Sequence, residues 1–249
     1  MPLTNANPTP KLSVLLYHRI GVAKTRRPHF CDIDRFRSQM RWLKLLGYQV
    51  VSLQDAHAGL FEQAPLPKRS VVLTFDDGFQ DFHDHAYPIL REFGYPATVF
   101  VVAGLLGQPP RWLTDVEPSA RIMSGAMLRA VRQGNIEIGA HTVSHPHLPA
   151  VAADLQEREI AHSKTILEDA IGEPVSSFAY PYGSYDPAVR DLVERAGFET
   201  AVTINRGLAN WAANPFEIPR KAVSWGDNLI GFLYKLLLDN QFKRRPKAA

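Results

Sequence analysis

The sequence is poor in cysteine and has no long hydrophobic run. Cys31 is the single cysteine among 249 residues, which excludes an internal disulfide and any metal cluster built from cysteines. No apolar stretch approaches the roughly 20 residues that cross a bilayer. Residues 1–10 have neither the basic nor the apolar region of a signal peptide. We therefore expect a cytoplasmic protein, provided that the chain begins at this methionine, with Cys31 as a buried or incidental thiol.

The sequence also lacks a strong net charge, internal repeats and low-complexity segments. Its 28 lysines and arginines are spread along the chain and are matched by 25 acidic residues, which leaves a net charge of +3. Such a balance does not predict nucleic-acid binding. A composition of 45% hydrophobic and 21% charged residues is typical of a globular protein. The length suits one β/α barrel as well as two smaller domains.

Strand-like and helix-like segments alternate along the chain. The alternation occurs about seven times with short connections, which predicts a parallel sheet with helices outside. The pattern alone permits a barrel or an open doubly wound sheet. Closure into a barrel would bring the strand ends together around one mouth. Six candidate site residues come just after predicted strands: His18, Asp76, Asp77, His141, His145 and Tyr182.

The two ends of the chain differ in composition from its middle. Residues 1–11 form a polar lead with prolines, which we expect to be mobile, residues 12–240 form one domain, and residues 241–249 form a basic tail. Residues 228–240 are amphipathic, which favours a helix packed on the barrel. A weaker alternative is contact of this helix and the tail with an anionic membrane surface, which would make the protein membrane-peripheral.

Two adjacent carboxylates, Asp76 and Asp77, follow the apolar run 70–73 and precede Gly78. The run predicts a buried strand, and Gly78 allows a sharp turn at its end. Side chains of neighbouring residues diverge at a strand end. One carboxylate can therefore hold a metal while the other handles a proton. Taken alone, Asp-Asp-Gly favours a simple β-turn.

Two histidines, His141 and His145, follow a second strand-like run at residues 135–140. Residues four apart lie on one face if the segment coils, so both imidazoles can reach one ion. A carboxylate with two imidazoles is a usual catalytic zinc shell that leaves a position open for water or substrate. Chance pairing of surface histidines is the alternative. Two polar clusters at two strand ends argue against it.

On these residues the chain resembles the polysaccharide deacetylase, or NodB-homology, family of carbohydrate esterases. The resemblance extends from about Ser13 to about Trp225. Within the family, the chain is most similar to the branch of poly-N-acetylglucosamine deacetylases that act in exopolysaccharide biosynthesis. It implies an irregular (β/α)7 barrel of the NodB-homology type, with residues 12–240 as a single catalytic domain. Three motifs match: Thr74-Phe75-Asp76-Asp77-Gly78, His141-Thr142-Val143-Ser144-His145 and Phe178-Ala179-Tyr180-Pro181-Tyr182-Gly183.

The resemblance also implies roles for the motif residues. Asp77, His141 and His145 would hold a divalent metal, with Zn²⁺ as the default and Co²⁺ or Ni²⁺ as alternatives. Asp76 would be the general base. The backbone N–H of Tyr182 would contribute to the oxyanion hole.

The sequence departs from the family pattern at two places. No histidine occurs after residue 162, so the C-terminal Leu-x-His motif that usually supplies the general acid is absent. His18 resembles the N-terminal arrangement of the exopolysaccharide-modifying branch and is our candidate acid, with a structural histidine as the alternative. Ala179 stands where many members have an arginine. Arg220 is the candidate substitute that would pair with Asp76, and a surface arginine is the alternative.

The resemblance implies a metal-dependent hydrolase of carbohydrate metabolism. It would remove N-acetyl groups from N-acetylhexosamine units of a polysaccharide or a lipid-linked glycan. One alternative is a deacetylase or deformylase of a small amino sugar or other amide, and another is a non-catalytic glycan-binding protein. Residues 104–124 form a long irregular segment, which is typical of a lid or binding loop, or of an insertion. Trp112, Tyr182 and Trp225 are candidates for stacking on sugars.

Overall fold

The computed structural model describes residues 11–22, 29–113 and 119–237. A curled parallel sheet lies at the centre of the fold, and helices cover its outside. The strands within the described residues are β1 (Leu12–Tyr17), β2 (Arg19–Gly21), β3 (Phe30–Asp32), β4 (Gln49–Val50), β5 (Ser70–Phe75), β6 (Ala97–Val101), β7 (Ile136–Ala140), β8 (Ser177–Ala179), β9 (Thr200–Val202) and β10 (Lys221–Ala222).

The sheet has the strand order β10-β1-β5-β6-β7-β8-β9, and all these neighbours are parallel. On one side of β5, β4 pairs with the first residues and β6 pairs with the last two. Ile218 forms a parallel bridge with Val202 of β9, and Lys221 pairs with Leu15 of β1. The segment 218–222 therefore contacts both ends of the sheet. The expected irregular (β/α)7 barrel is confirmed, in a deformed form.

The helices follow local sequence signals. Asp32 caps the first of them by accepting from the backbone N–H groups of Asp34 and Arg35, and Ser52 and Asp55 form a capping box on the second. The third is preceded by a π-helical turn at Phe82–Ala86. The helices are α1 (Ile33–Leu45), α2 (Leu53–Phe61), α3 (Tyr87–Phe93), α4 (Gly125–Arg132), α5 (Ala153–Ile171), α6 (Pro187–Arg195) and α7 (Leu229–Leu237).

Alternation along the strands divides the core into two layers. On β5, Leu73 and Phe75 belong to the cluster between the sheet and helices such as α1 and α3, and Val72 belongs to a second cluster. That second cluster also contains Leu12 and Val14 of β1, with members from β6, β8 and β9. Because side chains point alternately to the two faces of a strand, Thr74 and Asp76 share the face of Val72.

Two short parallel strands, β2 and β3, form a separate sheet that the sequence analysis did not predict. The backbone N–H of Arg19 donates to the carbonyl of His29 at 3.1 Å. This pairing lies directly after β1, so it fixes the direction in which the chain leaves the barrel mouth.

Helix α7 packs on the barrel, as expected for the amphipathic C-terminal segment. Phe232 and Leu236 are buried, and Ile230 and Tyr234 are exposed. The predicted lead, except Lys11, and the predicted basic tail lie outside the described residues, so the domain boundaries stay predictions. Among the described helices, none has the length and hydrophobicity needed to cross a bilayer.

Candidate metal centre and active site

Asp76 and Asp77 directly follow β5 and have different backbone conformations. Asp76 follows Val72 and Thr74 in the strand's alternation and is buried with 3% exposure. Asp77 has a left-handed φ of 73°, which turns its side chain away from that alternation. Gly78 continues the turn with φ 73°, and a Cβ there would lie 2.9 Å from Val101 Cγ1. The two carboxylates therefore diverge, as predicted from the sequence.

Asp76 is paired with Arg220 inside the barrel. The guanidinium donates from Nη1 to Asp76 Oδ1 and from Nη2 to Asp76 Oδ2, both at 2.7 Å, and also to Thr74 Oγ1 and the carbonyl of Thr203. Arg220 has 0% exposure, so the surface-arginine alternative is wrong. Burial raises the pKa of Asp76, but the charge and hydrogen bonds of Arg220 outweigh it and hold that pKa below its usual value. Asp76 is therefore an ionised acceptor.

The segment between His141 and His145 does not coil. It is an irregular turn in which Thr142 and His145 have φ values of 65° and 68°. The coil on which the sequence argument was conditional does not form, because left-handed residues cannot continue a right-handed helix. Such residues cost about 1–3 kcal/mol each and persist where surrounding contacts hold them. Thr142 Oγ1 is one such contact and accepts from the backbone N–H of His145 at 3.0 Å.

The turn brings both imidazoles to Asp77. Asp77 Oδ1 lies 3.6 Å from His141 Nε2 and 3.4 Å from His145 Nε2, and one ligand atom from each residue lies within 4.8 Å of the others. All three residues are buried. Burial raises the pKa of Asp77, but the imidazoles of His145, His18 and His141 outweigh it and bring the pKa to about 2. This group is consistent with a divalent metal site.

The tautomer of His141 supports metal ligation. His141 Nδ1 lies 2.7 Å from the carbonyl of Ala179, which can only accept, so the proton sits on Nδ1 and the lone pair of Nε2 faces Asp77. Burial lowers the pKa of His141 to about 4. The imidazole is therefore neutral near pH 7, as a ligand must be.

His18 lies at the same mouth, just past β1. It is one of the groups that lower the pKa of both Asp76 and Asp77, and its ring centroid is 4.8 Å from that of His29. The next residue, Arg19, is fixed in place because its Nε donates to Asp81 Oδ2 at 2.7 Å. The structure thus brings His18 to the predicted site, and its acid role stays a prediction.

Aromatic rings surround His145. Trp112 stacks on it with centroids 4.3 Å apart, and Tyr182 meets it edge-on at 4.5 Å. His147 stacks on Tyr182 at 3.9 Å. Tyr182 follows β8 in a 3₁₀ turn, has φ 57° and is 42% exposed. Trp225 instead contacts Arg35, whose guanidinium donates to the Trp225 carbonyl.

Part of the long segment 104–124 is anchored at this mouth. Ile122 is buried and forms bridges with Phe79 and Leu106, and Trp112 reaches His145. Residues 114–118 lie outside the described residues. The choice between a lid, a binding loop and an insertion stays open.

Comparison with known proteins decides the family. The sequence model called Polysaccharide deacetylase matches residues 63–201, which is more than half of the chain. The chain belongs to the polysaccharide deacetylase family.

Relatives of this deacetylase-family chain include curated proteins and solved structures. YxkH of Bacillus subtilis is 28% identical over 87% of this chain and 72% of its own length. The poly-beta-1,6-N-acetyl-D-glucosamine N-deacetylase of Escherichia coli K12 is 26% identical over 81% of this chain and 34% of its own length, so this chain spans about a third of that relative. The Streptococcus pyogenes deacetylase PplD in complex with acetate is 27% identical, with a TM-score of 0.80 over 91% of this chain and 98% of PplD.

This member of the deacetylase family has site residues that the sequence analysis missed. The ring of His29 contacts that of His18. The pKa of His29 is lowered, mainly by burial and to a smaller extent by the nearby His18. Asp81 holds Arg19. Neither residue belongs to one of the three motifs. Only the position of Asp81, three residues after Gly78, could have suggested a contact with the mouth.

Proposed function

We propose that this protein is a metal-dependent hydrolase that removes N-acetyl groups from N-acetylhexosamine units of a polysaccharide or a lipid-linked glycan. The observation that carries the proposal is the buried Asp77, His141 and His145 group directly beside the Asp76–Arg220 pair. The names of the E. coli relative and of the acetate-bound PplD structure support the substrate class.

Asp77, His141 and His145 are the residues that would hold the ion. Two imidazole nitrogens and one carboxylate oxygen suit zinc best, with cobalt and nickel as alternatives. A divalent ion bound there would polarise the acetamide carbonyl and acidify a water molecule.

Asp76 is proposed to accept the proton of the attacking water. Its bidentate pair with Arg220 keeps the carboxylate ionised and fixes its direction. Water oxygen then bonds to the carbonyl carbon, and the backbone N–H of Tyr182 donates to the developing oxyanion. His18 protonates the departing nitrogen as the C–N bond breaks, which releases acetate and a free amine.

The test is acetate release by the metal-loaded protein from N-acetylglucosamine and from its β-1,4- and β-1,6-linked oligomers. We expect release by the wild type, and none by His141→Ala or by the chelated wild type. Faster release from longer oligomers than from the monosaccharide supports a glycan substrate, and the opposite preference supports a small amino sugar. If the ion binds and no acetate appears from any of the sugars, the catalytic proposal is wrong. Measurement of glycan affinity then tests the alternative of a glycan-binding protein.

We also propose that the protein works in the cytoplasm, in peripheral contact with an anionic membrane surface. Ile230, Tyr234 and Leu237 are exposed on the face of α7 opposite the buried Phe232 and Leu236. Sedimentation with vesicles of phosphatidylglycerol and phosphatidylcholine tests this idea. Ile230→Glu should reduce the bound fraction, and Leu45→Glu, at an exposed position on α1, should not. Equal loss for both variants, or no binding by the wild type, would remove the proposal.

A further inference from the structure

A buried carboxylate outside the three motifs holds the turn between the two histidine ligands. Glu159 lies on α5 and has 5% exposure. Its Oε2 accepts from the backbone N–H groups of Val143 and Ser144, both at 2.8 Å, and its Oε1 accepts from Ser144 Oγ at 2.6 Å. Three donors offset the cost of burying a carboxylate. All three donors belong to Val143 and Ser144, which lie between the two histidines.

The opposite side of the turn is held by backbone. The N–H groups of Ala103 and Gly104, which follow β6, donate to the carbonyls of Thr142 and Val143 at 2.9 Å. A Cβ at Gly104 would lie 2.6 Å from the Val143 oxygen, so only glycine permits this approach. The N–H groups of Val143 and Ser144 thus face Glu159, and the carbonyls of Thr142 and Val143 face the segment after β6.

His145 depends on this support more than His141 does. The ring of His141 is fixed by its Nδ1 hydrogen bond to the Ala179 carbonyl. In the part of the chain that the structure describes, His145 Nδ1 is buried and has no hydrogen-bond partner. The direction of the His145 ring is therefore set by its left-handed backbone and by packing against Trp112 and Tyr182.

We propose that Glu159 is a positioning residue for the metal site. It acts through the backbone of Val143 and Ser144, and keeps His145 Nε2 turned toward Asp77 Oδ1. The inference rests on the proposed metal site but does not depend on the substrate. Groups that hydrogen-bond directly to metal ligands usually change metal affinity by about 10–100-fold when they are replaced, and we expect an effect of the same order from Glu159.

The experiment measures Zn²⁺ and Co²⁺ affinity of the full chain by competition with a chromophoric chelator. The variants are Glu159→Ala, Glu159→Gln and, as a matched control, Glu157→Ala, which changes an exposed glutamate on the same helix. We expect Glu159→Ala to weaken binding by about 10–100-fold and Glu159→Gln by ~3-fold or more, since an amide oxygen can still accept the backbone N–H groups. Glu157→Ala should match the wild type. The visible spectrum of bound Co²⁺ should change in Glu159→Ala, because one imidazole is misdirected.

Circular dichroism of the metal-free variants separates positioning from folding. A folded Glu159→Ala protein that binds both ions as the wild type does would overturn the inference and leave the proposed function standing. If Glu159→Ala does not fold, wild-type affinity in Glu159→Gln overturns it instead. If the wild type itself binds neither ion, the proposed metal site and this inference fail together. Recovery of kcat in Glu159→Ala at excess metal would further support a role through the metal site.

Discussion

The two halves of the barrel mouth are held in different ways. Asp76 is fixed by Arg220, a residue 144 positions away in the sequence, through an ion pair in the barrel interior. His141 and His145 are fixed by their own turn, whose supports include Glu159 only 15 and 16 positions away from its partners. One half relies on a long-range charge pair, and the other on backbone hydrogen bonds.

The difference matches what each half is proposed to do. A general base must stay ionised while buried, which an adjacent guanidinium achieves. A metal ligand must be neutral and well directed, which hydrogen bonds to its ring or its backbone achieve without placing a charge against the imidazole itself. The comparison predicts that the halves can be damaged separately. Four experiments follow, each of which changes residues that belong to one half or the other.

The largest expected effect separates the two aspartates. Asp76→Asn should reduce acetate release by about 10²–10⁴-fold, because the proton acceptor is lost, and should leave metal content unchanged. Asp77→Ala should lose both metal and activity. Metal content by elemental analysis and acetate release on the same samples provide the readout. Loss of metal in Asp76→Asn would mean that the two halves are not separate.

Removal of Arg220 should lower the stability of the fold. Arg220→Ala leaves a buried carboxylate without its partner and should lower the free energy of unfolding by about 3–5 kcal/mol in urea titrations. Arg220→Lys keeps the charge but loses the bidentate geometry, so we expect a smaller decrease in the free energy of unfolding than in Arg220→Ala. Arg195→Ala, an exposed arginine on α6, should stay within about 0.5 kcal/mol of the wild type. An unchanged free energy of unfolding in Arg220→Ala would contradict the importance of the ion pair.

Replacement of His18 tests whether this residue acts as the general acid or supports the metal site. His18→Ala should reduce amide hydrolysis by about 10²-fold and hydrolysis of a fluorogenic acetyl ester by much less, because an alkoxide or phenoxide leaving group needs less protonation. Metal affinity should not change. His83→Ala, which removes a partly exposed histidine near α3, is the control. Equal loss on amide and ester would assign His18 a structural role.

The smallest effect concerns the glycine side of the histidine turn. Gly104→Ala places a methyl group against the Val143 carbonyl and should weaken metal binding by a few-fold, to a smaller extent than Glu159→Ala. Gly125→Ala is the control, since its nearest contact would be at 3.5 Å and alanine favours the first turn of α4. Unchanged metal affinity in Gly104→Ala would show that the turn does not depend on this close approach.

Much of the site could be predicted because its motifs are local. The apolar run before Asp76 forms β5, and the three proposed ligands follow β5 and β7. Arg220 was predicted as a partner of Asp76 only as one of two alternatives, since sequence does not show whether an arginine near a strand lies inside or outside a barrel. His29 was missed because its contact with His18 depends on the separate pairing of β2 with β3.

The sequence by itself determined the parallel β/α order, the strand ends that carry polar residues, and the proposed set of two histidines and one aspartate. These features follow from residue patterns within short segments, where neighbours along the chain are also neighbours in space. Only the tertiary structure decided that the histidine turn is irregular, that Glu159 supports it, and that Arg220 lies beside Asp76 in the barrel interior. Those contacts join separate segments of the chain, so they depend on how far the sheet curls and which helix faces each turn.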